Sequence, residues 1–554
     1  MEFPTSVHEE TATMAADDVI SDLPDDLLLR ILSFLPAASE VARTSVLSRR
    51  WHHLWPNAIA LRFAVVSEPR EYSYTQADRD DARRLIAITD AVLASRADGP
   101  DIEDLHVSFV YSSEDHNGYI DDPYTGYDFR HYHAADITSG HVASWMGFAA
   151  RRVVERMKRV LMRKHIMRRK MKEEEEKKVW QPMPEYVYDD EREEERVLLA
   201  ELPGSMRARV MSLTLGKAIL TIPTVGAGSF DALTDVLLSH AKVDAGSDVR
   251  LGSLFSSCCC PRLRKLQLRY IEGLTELRLD AVGTLSELRL LDLHGLEALD
   301  VAAPGLRFLG INGCFWITSA RFSAPRLETL ACDHLCPAER LSFNGAASVR
   351  CIEDLHLSHV FLRPKNNEWK DEEDENLSAA VWLLRHCTAM DRLQVQIVWP
   401  QFGPSQKQQL GEEVDFEDNM MHLPQLSNMR NLKITFNVPW SYGHNVGATI
   451  TKLIAKCPEL EDLSIEICCS KKDCLDQNCI CNQPSGWDAW ESQKLPLERL
   501  RNVDFRNFIP YDSQIQLVSL FLTNAPALER MTLVLHRRTY QNSVPCPQSM
   551  SGRG

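Results

Sequence analysis

LRKLQLRYIEGLTELRLDAVGTLSELRLLDLHGLEALDVAAPGLRFLGINGCFWITSARFSAPRLETLAC, residues Leu263–Cys332, decides the fold. An apolar frame at the first, fourth and sixth positions recurs through it as Leu263-Leu266-Leu268, Leu274-Leu277-Leu279, Leu285-Leu288-Leu290, Leu296-Leu299-Val301, Leu306-Leu309-Ile311 and Leu327-Leu330-Cys332. The middle positions fall into two interleaved series. Leu266, Leu288, Leu309 and Leu330 lie 22, 21 and 21 residues apart, and Leu277, Leu299, Ala320 and Leu341 repeat those intervals. A fixed period of this kind marks one supersecondary unit that buries its apolar face only against copies of itself. The half-period of about 11 residues holds a strand of about five residues and a turn, but no ten-residue helix. The middle of the chain is therefore expected to form narrow coils with an extended segment on each face.

Further on the frames spread apart. They recur at Ile352-Leu355-Leu357, Met390-Leu393-Val395, Met429-Leu432-Ile434, Leu460-Leu463-Ile465, Leu500-Val503-Phe505 and Leu528-Met531-Leu533. The wider gaps hold helical patterns: Leu377, Ala380, Val381 and Leu384; Ile450, Leu453, Ile454 and Cys457; Ile515, Val518 and Leu522. The period resembles that of leucine-rich repeats. That resemblance implies an α/β fold in which a solenoid, or horseshoe, has two-strand coils in the middle and strand–helix coils toward the C-terminus. The position three past each frame, often Asn in such repeats, is here mostly apolar (Ile271, Val282, Val360, Val398), with Cys314 and Asn437 as exceptions. Turn backbone groups must then be satisfied in other ways.

Ahead of the array lies LPDDLLLRILSFLPAASEVARTSVLSRRWHHLW, Leu23–Trp55, which reads as three short helices. Pro24 suits a first helical position, Asp25 and Asp26 the positive end of a helix dipole, and Pro36 ends the run. Ser39 and Ser48 are candidate caps for the second and third helices. So short a segment cannot cover its own apolar surface. Its Leu23-Pro24 opening, Ile31-Leu32-Ser33-Phe34-Leu35, Val46-Leu47-Ser48-Arg49-Arg50-Trp51 and trailing Leu54-Trp55 resemble an F-box. The resemblance implies docking on the Skp-type adaptor of cullin–RING ubiquitin ligases through Leu23, Pro24, Leu27, Ile31, Leu35, Val46, Leu47, Trp51 and Leu54.

Between the two lies a stretch of uneven charge. From His141 to about Lys178 no proline interrupts a helix candidate, and Arg151–Lys172 carries eleven Lys or Arg against one acid, Glu155. Glu173–Glu176 and Asp189–Glu195 then reverse the sign. A nucleic-acid or nuclear-localisation patch and a solvated helical insertion both fit; the acidic tail would repel a phosphate backbone and favours the insertion. The chain is thus divided into a disordered tail (1–18), the F-box (19–58), a linker with a first irregular repeat (59–140), a charged helical insertion (141–200), the repeat domain (201–540) and a second disordered tail (541–554). Within the repeat domain, Cys479-Ile-Cys481-Asn-Gln-Pro484, Trp487, Leu495-Pro-Leu497 and Asn524-Ala525-Pro526-Ala527-Leu528-Glu529-Arg530-Met531 resemble the FBD region of plant F-box proteins, over about 456–536.

The formal net charge of −16 argues against a general nucleic-acid partner. No h-region opens the chain and no run of 18 apolar residues spans a membrane, so a nuclear or cytoplasmic protein with reduced cysteines is expected. Cys258–Cys260 and Cys468, Cys469, Cys474, Cys479 and Cys481 cluster, but without the paired C-x2-C spacing of a zinc site, so no metal is assigned. No phosphate loop, dinucleotide fingerprint, nucleophile elbow or H-E-x-x-H stands anywhere, so neither catalytic residues nor a cofactor are assigned. Together the resemblances imply a non-catalytic substrate-recognition subunit of an SCF-type cullin–RING ligase that presents an unknown client protein. An interaction scaffold that binds partners without marking them is the alternative.

Overall fold

The computed structural model describes residues 20, 23–66, 70–71, 76–114, 137–166, 199–223, 226, 229–244, 248–281, 283–358, 373–398, 423–438, 446–469, 495, 497–508 and 512–535. Three short helices open it: α1 (Asp25–Leu32), α2 (Ala38–Arg43) and α3 (Arg49–Leu54). Strand–helix alternation follows: β1 (Ala60–Val66), β2 (Arg70–Glu71), α4 (Gln76–Ser95), β3 (Ile102–Glu114), α5 (Ser139–Arg152), β4 (Val153–Ile166), β5 (Leu199–Glu201), β6 (Val210–Thr221), β7 (Asp235–Val243) and α6 (Asp248–Leu254).

The middle is strands alone. β8 (Lys265–Glu272), β10 (Glu287–Leu291), β12 (Phe308–Asn312) and β14 (Thr329–Cys332) join the main sheet. β9 (Glu276–Asp280), β11 (Ala298–Ala302), β13 (Ser319–Ser323) and β15 (Leu341–Asn344) form a second, four-stranded sheet. Helices return after that, with β16 (Cys351–Ser358), α7 (Glu373–His386), β17 (Arg392–Val398), β18 (Asn431–Val438), α8 (Val446–Ala455), β19 (Asp462–Cys469), β20 (Asn502–Phe508), α9 (Asp512–Asn524) and β21 (Arg530–Leu535). All pairings are parallel, as expected when each strand is separated from the next by a crossover.

One register column explains the main sheet. Leu61 pairs with Leu105, Leu105 with Met157, Met157 with Met211, Met211 with Val236 and Val236 with Leu266. The column continues through Leu288, Leu309, Leu330, Ile352, Leu393, Leu432, Leu463 and Val503 to Met531. All but Met531 are buried. Leu277, Leu299, Ala320 and Leu341 form the equivalent column of the second sheet. The half-period reading therefore holds in the middle, and the three expected C-terminal helices are α7, α8 and α9.

Two boundaries are corrected. The parallel strands begin at Ala60, inside the stretch read as a linker with a first irregular repeat (59–140) and ahead of residue 201, where the repeat domain was expected to start. Within the segment read as a charged helical insertion (141–200), the described residues 153–166 form a strand instead. α5 stops at Arg152, where its inward stripe of Val142, Trp145, Met146 and Ala149 runs out, and Val153 opens a strand between β3 and β6. Met157 takes its place in the buried column, while exposed Glu155, Arg156 and Lys158 occupy neighbouring positions. The acidic runs of that segment, the predicted tails and residues 359–372 and 399–422 lie outside the described residues.

At one turn without an Asn, a side chain from the next coil takes its place. The Gly313 amide donates to Asp333 Oδ2 at 2.7 Å. Gly313 has φ of 70°, and a Cβ there would sit 2.4 Å from Asp292 Oδ1.

Candidate docking surface on the N-terminal helices

Helix α1 is apolar around most of its circumference, and the fold covers only one side of it. Leu28 and Leu32 are fully buried, while Leu27 and Ile31, one position back on the helix, are 47% and 42% exposed. Phe34, just past the helix, is 75% exposed and carries the Arg30 guanidinium 5.7 Å from its ring centre. Leu27, Ile31 and Phe34 recur at intervals of four and three, so they share one face. Val46 (84% exposed) and Leu47 (65%) project from the turn before α3.

Apolar side chains of this size in water are held open by the chain beneath them. Trp51 and Leu54 of α3 are buried in the same core as Leu28, Leu32 and Val41. Leu23 and Leu35 are half-buried against that core. Ser48 caps α3, its hydroxyl accepting from the Trp51 amide at 3.5 Å. No equivalent bond comes from Ser39, since α2 starts at Ala38 with Ala37 preceding it. Pro24 precedes α1 as its N-cap instead of taking the first helical position.

Three arginines fix the module in place. Arg50 donates to Asp25 Oδ1 at 2.8 Å and to the Leu23 carbonyl at 2.5 Å, tying α3 to the start of α1. Arg62 on β1 donates to the Ser33 carbonyl (2.6 Å), the Leu35 carbonyl (2.9 Å) and Asp104 Oδ2 (2.7 Å), which closes the end of α1 onto the sheet. Arg96, at the end of α4 and almost fully buried, donates to the Pro56 and Ala58 carbonyls. These satisfy carbonyls that helix ends would otherwise leave without partners.

Of the nine residues singled out in the sequence, then, Pro24, Leu27, Ile31, Val46 and Leu47 are exposed, Leu23 and Leu35 are half-covered, and Trp51 and Leu54 are interior. The last two hold the module together; a partner could not touch them without opening it. Phe34, which is not one of the nine, is exposed beside Leu27 and Ile31. Its i+7 relation to Leu27 was the available signal.

A second surface lies on the main sheet, where β16 to β21 border a groove of about 570 Å³. Its polar lining includes Arg392, Lys433, Asp462, Asn502, Asp504 and Arg530, side chains that alternate along their strands with the buried frame residues. Charges of both signs stand on adjacent strands. Asn502 donates to Asp462 at 2.7 Å, and Arg506 to Asp504 at 2.8 Å. Among the described residues no group of three or more His, Cys, Asp or Glu is placed to hold a metal ion. Cys474, Cys479 and Cys481 lie outside them.

Comparison with known proteins agrees with the geometry. Residues 20–59 match the F-box domain, so the three-helix module is an F-box. An F-box/LRR-repeat protein of Arabidopsis thaliana is 26% identical over 294 residues, 53% of this chain and 47% of that protein. Another F-box/LRR-repeat protein of the same plant is 37% identical over 95 residues, 17% of this chain and 27% of its own. An FBD-associated F-box protein, also from Arabidopsis, is 47% identical over 55 residues, 10% of this chain and 13% of its own. The matched stretch thus spans about half the length of the first relative and far less of the others.

Proposed function

We propose that this F-box-bearing chain, similar to plant F-box/LRR-repeat proteins, is a non-catalytic substrate-recognition subunit of an SCF-type cullin–RING ubiquitin ligase. In this reading the F-box docks on a Skp-type adaptor, and the parallel-strand coils form a leucine-rich-repeat horseshoe that holds a client protein in reach of the ubiquitin-charged enzyme. The chain contributes proximity, raising the effective concentration of client lysines, rather than acid–base chemistry.

The observation that carries the reading is the uncovered apolar face of Leu27, Ile31, Phe34, Val46 and Leu47 on an otherwise closed module. Exposed apolar groups clustered in this way mark interaction surfaces. Burying all five would yield a gross gain of about 8–15 kcal/mol at about 1.5–3 kcal/mol each. Association itself costs about 4–15 kcal/mol, so all five must contribute for binding to be tight. The client side is supported by the polar groove over β16–β21.

The test is co-purification of the full chain with a plant Skp-type adaptor. Leu27→Asp combined with Ile31→Asp is expected to abolish it while the melting temperature holds, because neither side chain is part of the core. Retained co-purification by the double variant would overturn the reading.

A further inference from the structure

The turn that follows α6 carries three consecutive cysteines, Cys258, Cys259 and Cys260, and they are not equivalent. Cys260 is buried and its thiol donates to the Leu254 carbonyl at 3.2 Å; burial pushes it up to about 12. Cys258 is the exposed one. Its Sγ lies 2.9 Å from the Ser256 hydroxyl and 3.6 Å from the Cys259 Sγ. These two contacts, the Ser256 one first, hold the Cys258 thiol below its ordinary range. Cys259 is shifted the other way, first by desolvation. An exposed, more acidic thiol beside a buried one is the arrangement of an attacking and a resolving cysteine.

The backbone holds the pair in position. The Ser257 amide and hydroxyl both donate to the Asp280 carbonyl, at 3.0 and 3.1 Å. The Cys259 carbonyl accepts from the Phe230 amide, and the Cys259 and Cys260 amides both donate to the Ser256 carbonyl. The turn is thereby fastened to β9 on one side and, through Phe230, to the turn ahead of β7 on the other.

We propose that Cys258 and Cys259 form a reversible redox site that takes a small peroxide as oxidant. The Cys258 thiolate attacks one peroxide oxygen; an S–O bond forms as the O–O bond breaks, and hydroxide leaves with the electron pair. The Cys259 sulfur then attacks the sulfenic sulfur. An S–S bond forms, the S–O bond breaks, and the oxygen leaves as water with the Cys259 proton. Sulfur is oxidised and peroxide reduced, and no further reactant is needed. Closure brings the sulfurs from 3.6 Å to about 2.05 Å. Adjacent Cα atoms are only about 3.8 Å apart, less than an unstrained disulfide spans, so the bond is readily reducible. Gain and loss of this link depend on the two cysteines alone and stand apart from the ligase reading.

The experiment treats the full chain with hydrogen peroxide in the presence of dimedone and maps the tryptic peptide 251–262. Wild-type protein is expected to lose two hydrogens within that peptide and regain them with dithiothreitol. Cys259→Ser should instead accumulate the dimedone adduct at Cys258, Cys258→Ser should remain unmodified, and Cys260→Ser should behave as wild type. The proposal is overturned if the wild-type peptide resists peroxide, if it carries dimedone without losing hydrogens, or if Cys260→Ser alone blocks closure.

Discussion

Arg62 reaches back across 29 residues to the Ser33 carbonyl while its other nitrogen holds Asp104, so one guanidinium fastens the F-box to β1 and β3. Arg62→Ala leaves those carbonyls and a largely buried carboxylate without their donor. A loss of about 1.5–3 kcal/mol is expected, read as a lower denaturant midpoint, with faster proteolysis between the F-box and β1. Trp51 behaves differently from the residues around it: Trp51→Ala empties a core position at 7% exposure and should cost about 3–5 kcal/mol. Leu27→Ala should leave stability within about 0.5 kcal/mol. Equal losses from both would contradict the division between core and open face. That division was illegible in the sequence because α1 is apolar on both sides, and spacing alone does not say which side the sheet takes. His106 supplies a pH dependence. It sits in register between Arg62 and Lys158, its Nε2 buried without a partner, and it is held down to about 4, chiefly by desolvation and then by Lys158. The unfolded chain binds this proton below about 6.5 and the folded chain does not until about 4, so stability is full above that window and falls as pH drops through it. His106→Gln should flatten the slope of melting temperature against pH between about 6.5 and 4. An unchanged slope would remove His106 from the account.

Strand β4 shows where pattern reading fails for an element. A basic stretch looks like a solvated helix, yet over 153–166 a strand with exposed Arg156 and Lys158 carries it. Val153 and Met157 face inward, and their spacing of four, with exposed Glu155 between them, fits a helix as well as a strand. The Leu-rich frames from β8 to β15 were legible because ladder positions recur at a fixed interval, and Met157, Met211 and Val236 in the same column were not, since their spacing is irregular and their side chains are not leucine. Helix α6 rests on the second sheet through Gly252, where an added Cβ would stand 2.2 Å from the Arg278 carbonyl oxygen on β9. That contact is with backbone and cannot rotate away. Gly252→Ala should therefore push α6 from β9 and lower the melting temperature, even though alanine favours helix by up to about 1 kcal/mol in isolation. An unchanged or higher melting temperature would mean the helix can shift freely.

At the scale of the whole molecule the two ends of the main sheet are treated unequally. At the N-terminal end β1 is flanked by the F-box, with Arg62, Arg96 and the shared core closing the join. At the other end β21 pairs, among the described residues, with β20 alone, and its Leu533, Val534 and Leu535 are 40%, 47% and 41% exposed. Each inner coil is held from both sides, whereas the last is held from one, so stability along a stacked array should decline toward β21. Amide hydrogen exchange should show the β12–β17 amides protected longest and those of β21 released first. The same exposed edge offers a run of backbone donors and acceptors flanked by apolar side chains, which is a template for pairing with another chain. Val534→Lys puts a charge on that edge without disturbing the buried column, which Met531 occupies on this strand. The variant should keep the wild-type melting temperature and scatter less light at high concentration. Undiminished self-association would show that the edge is covered in solution, and that the molecule's contacts with others are made elsewhere, beginning with the open face of the F-box.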